Sequence, residues 1–335
     1  MYLVESYGVA VLLCVVTMIC WGSWANTQKL AARSWSFPLF YWDYTIGLIL
    51  FSLIAGLTFG STGAEGEGFL SNLRGADGSA LGSAFLGGVV FNIGNLLLVA
   101  AISIAGMATA FPVGVGTALV LGVLVNYFAT PEGDPVYLFA GVALVTIAII
   151  IDAMAYRRIS SGGTTRRGIL ISLLAGLLMG FFFRFVAASM SEDYVNIESG
   201  LLTPYTAVFV FSIGVFLSSF LFNSYFMYRP VDGKKSSYAD YFRLGTTRLH
   251  LIGIAGGVIW CIGMLLSLVA SGKAGYAISY GLGQGATMVA AIWGVFVWRE
   301  FRGAPKGTNV LLLLMFVCFL VGLGCIIAAA RLVGE

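Results

Sequence analysis

The chain has 335 residues, of which 59% are apolar and only 10% charged, and its formal net charge is +3. Soluble domains sit near half apolar and a quarter charged, and here the charges fall in short gaps between long apolar runs. That distribution excludes a water-soluble core, and with it a soluble nucleic-acid-binding protein.

A bilayer crossing takes roughly 20 mainly apolar residues, and ten runs qualify. The opening Met1-Tyr-Leu-Val-Glu-Ser lacks the basic region and cleavage site of a signal peptide, so the first run, Val9–Lys29, is expected to remain in the mature protein. It carries Trp21 and Trp24 deep in its length, away from the membrane edges where tryptophan usually gathers. They read either as a flat wall on which a heterocycle or sugar face stacks, or as core packing. The second run, Leu39–Phe59, holds Asp43 about one turn inside its start. An intramembrane carboxylate is a functional candidate because burying charge is costly; Asp43 either takes up and releases a coupling proton or pairs with Lys29 or Arg33. The third, Leu81–Ile104, places Asn92 and Asn95 on one helix face, as binding amides or as interhelical hydrogen-bonding groups.

The fourth run, Met107–Phe128, follows a tight turn near Gly106. The fifth, Val136–Tyr156, ends with Asp152, which is expected to pair with Arg157. In the second half, Gly168–Met190 carries Arg184, which either grips a carbonyl-rich or anionic solute or reaches outward to Glu5, Glu192 or Asp193. Pro204–Phe226 reads as packing. Leu249–Ser271 has Trp260 at its middle, and the lone His250 at its start reads as solvated. A turn near Gly272 leads to Ala274–Trp298, with Gln284 near the midplane and Tyr280 one turn away. Asn309–Ala330 completes the set. The five cysteines all lie within apolar runs and read as small membrane hydrophobes; no metal or cofactor motif is present.

The loops after the first, fifth, seventh and ninth runs hold 14 of the 18 Lys and Arg residues, while the opposite loops carry Glu65, Glu67, Asp77, Glu132, Asp134, Glu192, Asp193 and Glu198. Basic loops stay in the cytoplasm, so both termini are predicted outside. Gly87-Gly-Val-Val-Phe-Asn-Ile-Gly-Asn-Leu-Leu aligns without gaps on Gly256-Gly-Val-Ile-Trp-Cys-Ile-Gly-Met-Leu-Leu, and Ala105-Gly106 falls on Ala274-Gly275. Five spans per repeat force opposite insertion. The expected fold is therefore an all-α, ten-helix inverted 5+5 assembly: residues 1–156, a linker 157–167, and residues 168–335, with a binding site at the midplane between the repeats.

Met1-Tyr-Leu-Val-Glu-Ser, Tyr41-Trp-Asp-Tyr44, and Gly87-Gly…Gly94-Asn95-Leu96…Gly106…Asn126-Tyr-Phe128 resemble the ureide permease family of the drug/metabolite transporter superfamily, alongside the bacterial glucose and rhamnose porters. The resemblance implies a proton-coupled membrane transporter of oxo-substituted nitrogen heterocycles. Plant members have a long central loop with a nucleotide-binding-like motif; the short Ser160-Ser-Gly-Gly-Thr-Thr-Arg-Arg linker has no phosphate loop. The expected site combines Trp21, Trp24, Asn92, Asn95, Arg184, Trp260, Tyr280 and Gln284, with Asp43 as proton carrier. The expected partners are a small polar solute, a proton and the lipid of the cell membrane. A sugar porter and an amphiphile exporter stay open as alternatives. An intramembrane enzyme is disfavoured, because no catalytic His, Cys or Gly-x-Ser-x-Gly motif is present.

Overall fold

The structure, a computed structural model, describes residues 1–31, 35–159, 165–231 and 234–331. Ten helices are long and apolar enough to span a bilayer: α1 (Tyr7–Ala31), α2 (Phe37–Thr62), α3 (Gly78–Ala105), α4 (Met107–Ala129), α5 (Pro135–Arg157), α6 (Arg166–Ala187), α7 (Pro204–Tyr228), α8 (Thr247–Ala274), α9 (Tyr276–Val297) and α10 (Thr308–Arg331). Each lies within a few residues of a predicted run. Among the described residues the one extended feature is an isolated bridge between Met190 and Leu202.

Local sequence explains where these helices begin and end. The Ser6, Thr165, Thr203 and Thr246 side chains each accept an amide hydrogen three residues on, and Asp134 caps α5 ahead of Pro135. Such caps satisfy donors that an apolar helix start would otherwise leave bare. The α3–α4 and α8–α9 turns need a backbone that L side chains avoid. Gly106 and Gly275 supply it at φ 74° and 80°. The second turn therefore sits at Gly275, three residues beyond the predicted Gly272, because Lys273 and Ala274 still continue α8.

The helices pack as a ring in the order α7, α3, α6, α4, α9, α1, α8, α2 and back to α7, with α5 and α10 paired outside it. The contacts are reciprocal: α8 lies on α2 as α3 lies on α7, and α1 lies on α8 and α9 as α6 lies on α3 and α4. Glycine makes the closest of these approaches. A Cβ on Gly257 would overlap the Tyr44 carbonyl and one on Gly47 the Ile254 carbonyl; Gly88 and Gly214 stand in the same relation to the carbonyls of Phe211 and Phe85. Small residues thus bring helix backbones together where lipid supplies no hydrophobic drive. A seven-residue helix precedes α3 (Phe69–Gly75) and another precedes α8 (Tyr238–Leu244).

Apart from a single-residue turn at Thr58 near the end of α2, two spans are interrupted. Regular helix stops at Ser23 in α1 and resumes at Ala25. In α9 it stops at Gly283, resumes at Ala286 and ends in a π-turn over Trp293–Val297. The flanking glycines Gly283 and Gly285 account for the second break.

Candidate functional site

Aromatic rings from five ring helices meet at the centre. Trp260 of α8 stacks on Trp21 of α1 at 5.6 Å and on Phe211 of α7 at 5.8 Å, while Phe91 of α3 approaches it at 4.4 Å. Phe182 of α6 packs on Phe91 at 5.1 Å. The Trp21 indole N–H donates to the Trp260 carbonyl at 3.1 Å, which locks the two tryptophans together. Trp24 lies elsewhere, tilted on Tyr44 at 5.0 Å, and Tyr44 stacks on Tyr41 at 5.2 Å.

Beside this wall runs a polar relay. The Asn95 amide donates to the Tyr41 hydroxyl at 3.3 Å, and Tyr41 donates to Asn92 Oδ1 at 2.9 Å. Asn92 Nδ2 then donates to the Val215 carbonyl and to the Ser218 and Ser219 hydroxyls, at 3.2, 2.7 and 3.1 Å. All three relay side chains are buried. A recess of about 70 Å³ lined by Phe37, Pro38, Val99 and Phe226 lies one turn from Tyr41 along α2 and from Asn95 along α3, toward the face that carries the basic loops.

The other sequence-predicted residues lie apart. Tyr280 is buried, with its hydroxyl 3.1 Å from the carbonyls of both Ala118 and Met179, so it ties α9 to α4 and α6. Gln284 is half-buried in the α9 break, and among the described residues its side chain makes no hydrogen bond. Arg184 is half-buried beside Tyr276; among the described residues it pairs with none of Glu5, Glu192 and Asp193. Asp152 does not pair with Arg157: its Oδ1 is buried without a partner, next to Glu300.

Asp43 is 1% exposed, and it does not pair with Lys29. Lys29 instead bonds Glu300 at 2.6 Å and sits over the Trp298 ring at 4.3 Å. Arg33 lies outside the described residues. The carboxylate Oδ1 accepts from the Tyr241 hydroxyl and bonds His250 Nδ1 at 2.8 Å; among the described residues its buried Oδ2 has no partner. His250 is thus not simply solvated. It packs edge-on against Trp35 and is hydrogen-bonded through Nδ1 to the buried acid. Burial, followed by the bond to Asp43, pushes the Tyr241 phenol above its ordinary value.

Sequence reasoning did not reach Tyr41, Tyr44, Ser218, Ser219, Tyr241 and His250 as members of these clusters. Tyr41 and Tyr44 sit three apart, on one helix face, and that spacing was the available signal. The Asp43 partners lie 198 and 207 residues away in sequence.

Ten bilayer-length helices, eight of them ringed around a buried aromatic and amide centre, define a multi-pass membrane protein. The ureide permease family profile matches residues 40–166 and 157–329. Ureide permease 2 of Arabidopsis thaliana is 25% identical across 98% of this chain and 99% of its own length, and ureide permease 1 of the same plant is 23% identical over the same shares. A solved crystal structure with 18% identity aligns at a TM-score of 0.65, covering 98% of this chain and 100% of that one, and shares the fold. The chain belongs to the ureide permease family.

Proposed function

We propose that this permease moves a ureide- or nucleobase-type heterocycle across the cell membrane by alternating access, driven by a proton. The observation that carries the reading is the buried Asn95–Tyr41–Asn92 relay, with Trp24 on the adjoining Tyr44 and the Trp21–Trp260 stack on the neighbouring helices. Stacking surfaces beside amides suit a flat, polar ring. The names of the plant relatives support the same substrate class.

In this reading residues 1–156 and 168–335 are inverted repeats joined by the linker 157–167, and both termini lie outside. Reciprocal helix packing, the paired glycine approaches and the two short helices before α3 and α8 support that symmetry. Trp21, Trp24, Trp260 and Asn95 line the solute site, with Asn92 holding the relay. Tyr280 anchors the wall, and Gln284 and Arg184 offer, along the path, polar groups that no described residue bonds. Asp43 carries the proton, passed through His250 or Tyr241.

Uptake of labelled uracil, allantoin and glucose into proteoliposomes, with and without an inward proton gradient, tests this reading. Gradient-stimulated accumulation of uracil or allantoin is expected. Accumulation of glucose alone refutes the heterocycle assignment, and uptake indifferent to the gradient refutes the coupling.

A further inference from the structure

We propose that the Asn95 carbonyl oxygen and the Tyr44 hydroxyl form the specificity pair of this site: an acceptor and a donor that read a solute presenting N–H beside C=O. The inference rests on the transport reading above and assigns its selectivity to two atoms.

The relay fixes the first atom. The Val215 carbonyl can only accept, so the group facing it must be the Asn92 NH₂. Ser218 and Ser219 agree, since each gives its own hydrogen to a carbonyl, of Gly214 at 2.7 Å and of Val215 at 2.8 Å, and can only accept from Asn92. Asn92 Oδ1 therefore faces Tyr41, and Tyr41 commits its single hydrogen there. The Tyr41 oxygen is left as an acceptor, and Asn95 must present its NH₂ to it. Among the described residues, the Asn95 carbonyl oxygen then receives no hydrogen bond. A chain of obligate donors and acceptors that starts at a backbone carbonyl has oriented that amide.

The second atom is the Tyr44 hydroxyl. Tyr44 is 0% exposed, and among the described residues its hydroxyl has no partner. Its ring is held between Tyr41 and Trp24, so it has little freedom to seek one. The neighbouring Cys261 thiol is directed to the Leu48 carbonyl at 3.5 Å. Buried polar groups are nearly always bonded, and an exception asks for a reason. A solute carbonyl supplies one.

Tyr44 and Asn95 both adjoin Tyr41, which puts an unused donor and an unused acceptor in one neighbourhood. A lactam, cyclic imide or ureide edge carries the N–H and the C=O that these two atoms call for. A carboxylate offers only acceptors and an ammonium only donors. The sequence repeat pairs Asn95 with Met264, and the reciprocal glycine contacts pair Tyr44 with Phe211. Both counterparts are apolar, so the reading edge belongs to one half of the molecule.

The test uses purified full-length protein and uracil. Tyr44→Phe is expected to weaken uracil binding by about tenfold while raising the melting temperature of the solute-free protein, since it removes an unsatisfied buried hydroxyl. Asn95→Leu is expected to weaken binding by about the same factor with little change in melting. On the wild type, 1,3-dimethyluracil, which lacks an N–H, should fail to compete. Tyr44→Phe that lowers the melting temperature, or that keeps wild-type affinity, overturns the pair; so does competition by 1,3-dimethyluracil equal to that of uracil. A wild type that binds neither uracil nor allantoin overturns the transport reading itself, and that result is visible before any variant is made.

Discussion

Asn92→Leu separates the two amides of α3 by their structural burden. Asn92 makes four hydrogen bonds to three residues of α7 and to Tyr41 of α2, whereas Asn95 makes one, at 3.3 Å. Leucine fills similar volume and removes all four. Ser218 and Ser219 keep their own carbonyl partners, so those losses are small; interhelical hydrogen bonds in membranes average about 0.6 kcal/mol each. The larger loss is at Tyr41, whose buried hydroxyl is left without an acceptor, at about 1–3 kcal/mol. The sum is roughly 2–4 kcal/mol, or a melting temperature lower by on the order of 5 °C for a protein of this size. Asn95→Leu should cost less than about 1 kcal/mol. Thermal unfolding of detergent-purified protein, followed by loss of the monodisperse chromatographic peak, measures both. Equal losses for the two variants, or an Asn92→Leu midpoint within 1 °C of wild type (roughly the scatter expected of a neutral change), would refute the relay as the source of stability.

Three further outcomes follow from the same geometry. Gly257→Ala and Gly88→Ala each drive a methyl group into a backbone carbonyl of the facing helix, and each should cost about 1–3 kcal/mol or more in the same melting assay. Asp43→Asn should abolish gradient-driven accumulation while leaving solute exchange at equal pH; full accumulation would remove Asp43 from the proton path. Glu132 is raised above its ordinary carboxylate value, first by desolvation where it lies over Gly275 and then by Glu192. A raised acid favours the folded state less as pH climbs from the ordinary value through the raised one. Glu132→Gln should therefore melt higher than wild type at neutral pH and alike near pH 4, the ordinary carboxylate range; a gap that persists under acid would contradict that sign.

The spans were legible because hydropathy acts over twenty residues at a time, and Gly88 and Gly257 stood out in matching sequence segments because only glycine tolerates carbonyls at that range. Asn92 and Asn95 stood out as amides in apolar surroundings, yet their difference in bonding depends on Tyr41 and on the serines of α7, which no local pattern links to them. Asp43 was visible, but its partners were not. Neighbouring cations in sequence suggested Lys29, whereas folding brings the acid to His250 and sends Lys29 to Glu300. Tyr44 was concealed by its type: an aromatic inside a membrane helix reads as filler until its hydroxyl is found without a partner.

The glycine contacts have a mechanical consequence. On α2, the Tyr44 carbonyl and Gly47 are three residues apart and both meet α8; on α7, the Phe211 carbonyl and Gly214 repeat this against α3. Two helices touching backbone to backbone at two points can neither slide nor roll past one another, so each pair moves as one plank. Under the proposed alternating access, probes placed across α2 and α8 should report a constant separation. That makes the pair an internal ruler against which the swing of every other helix can be measured.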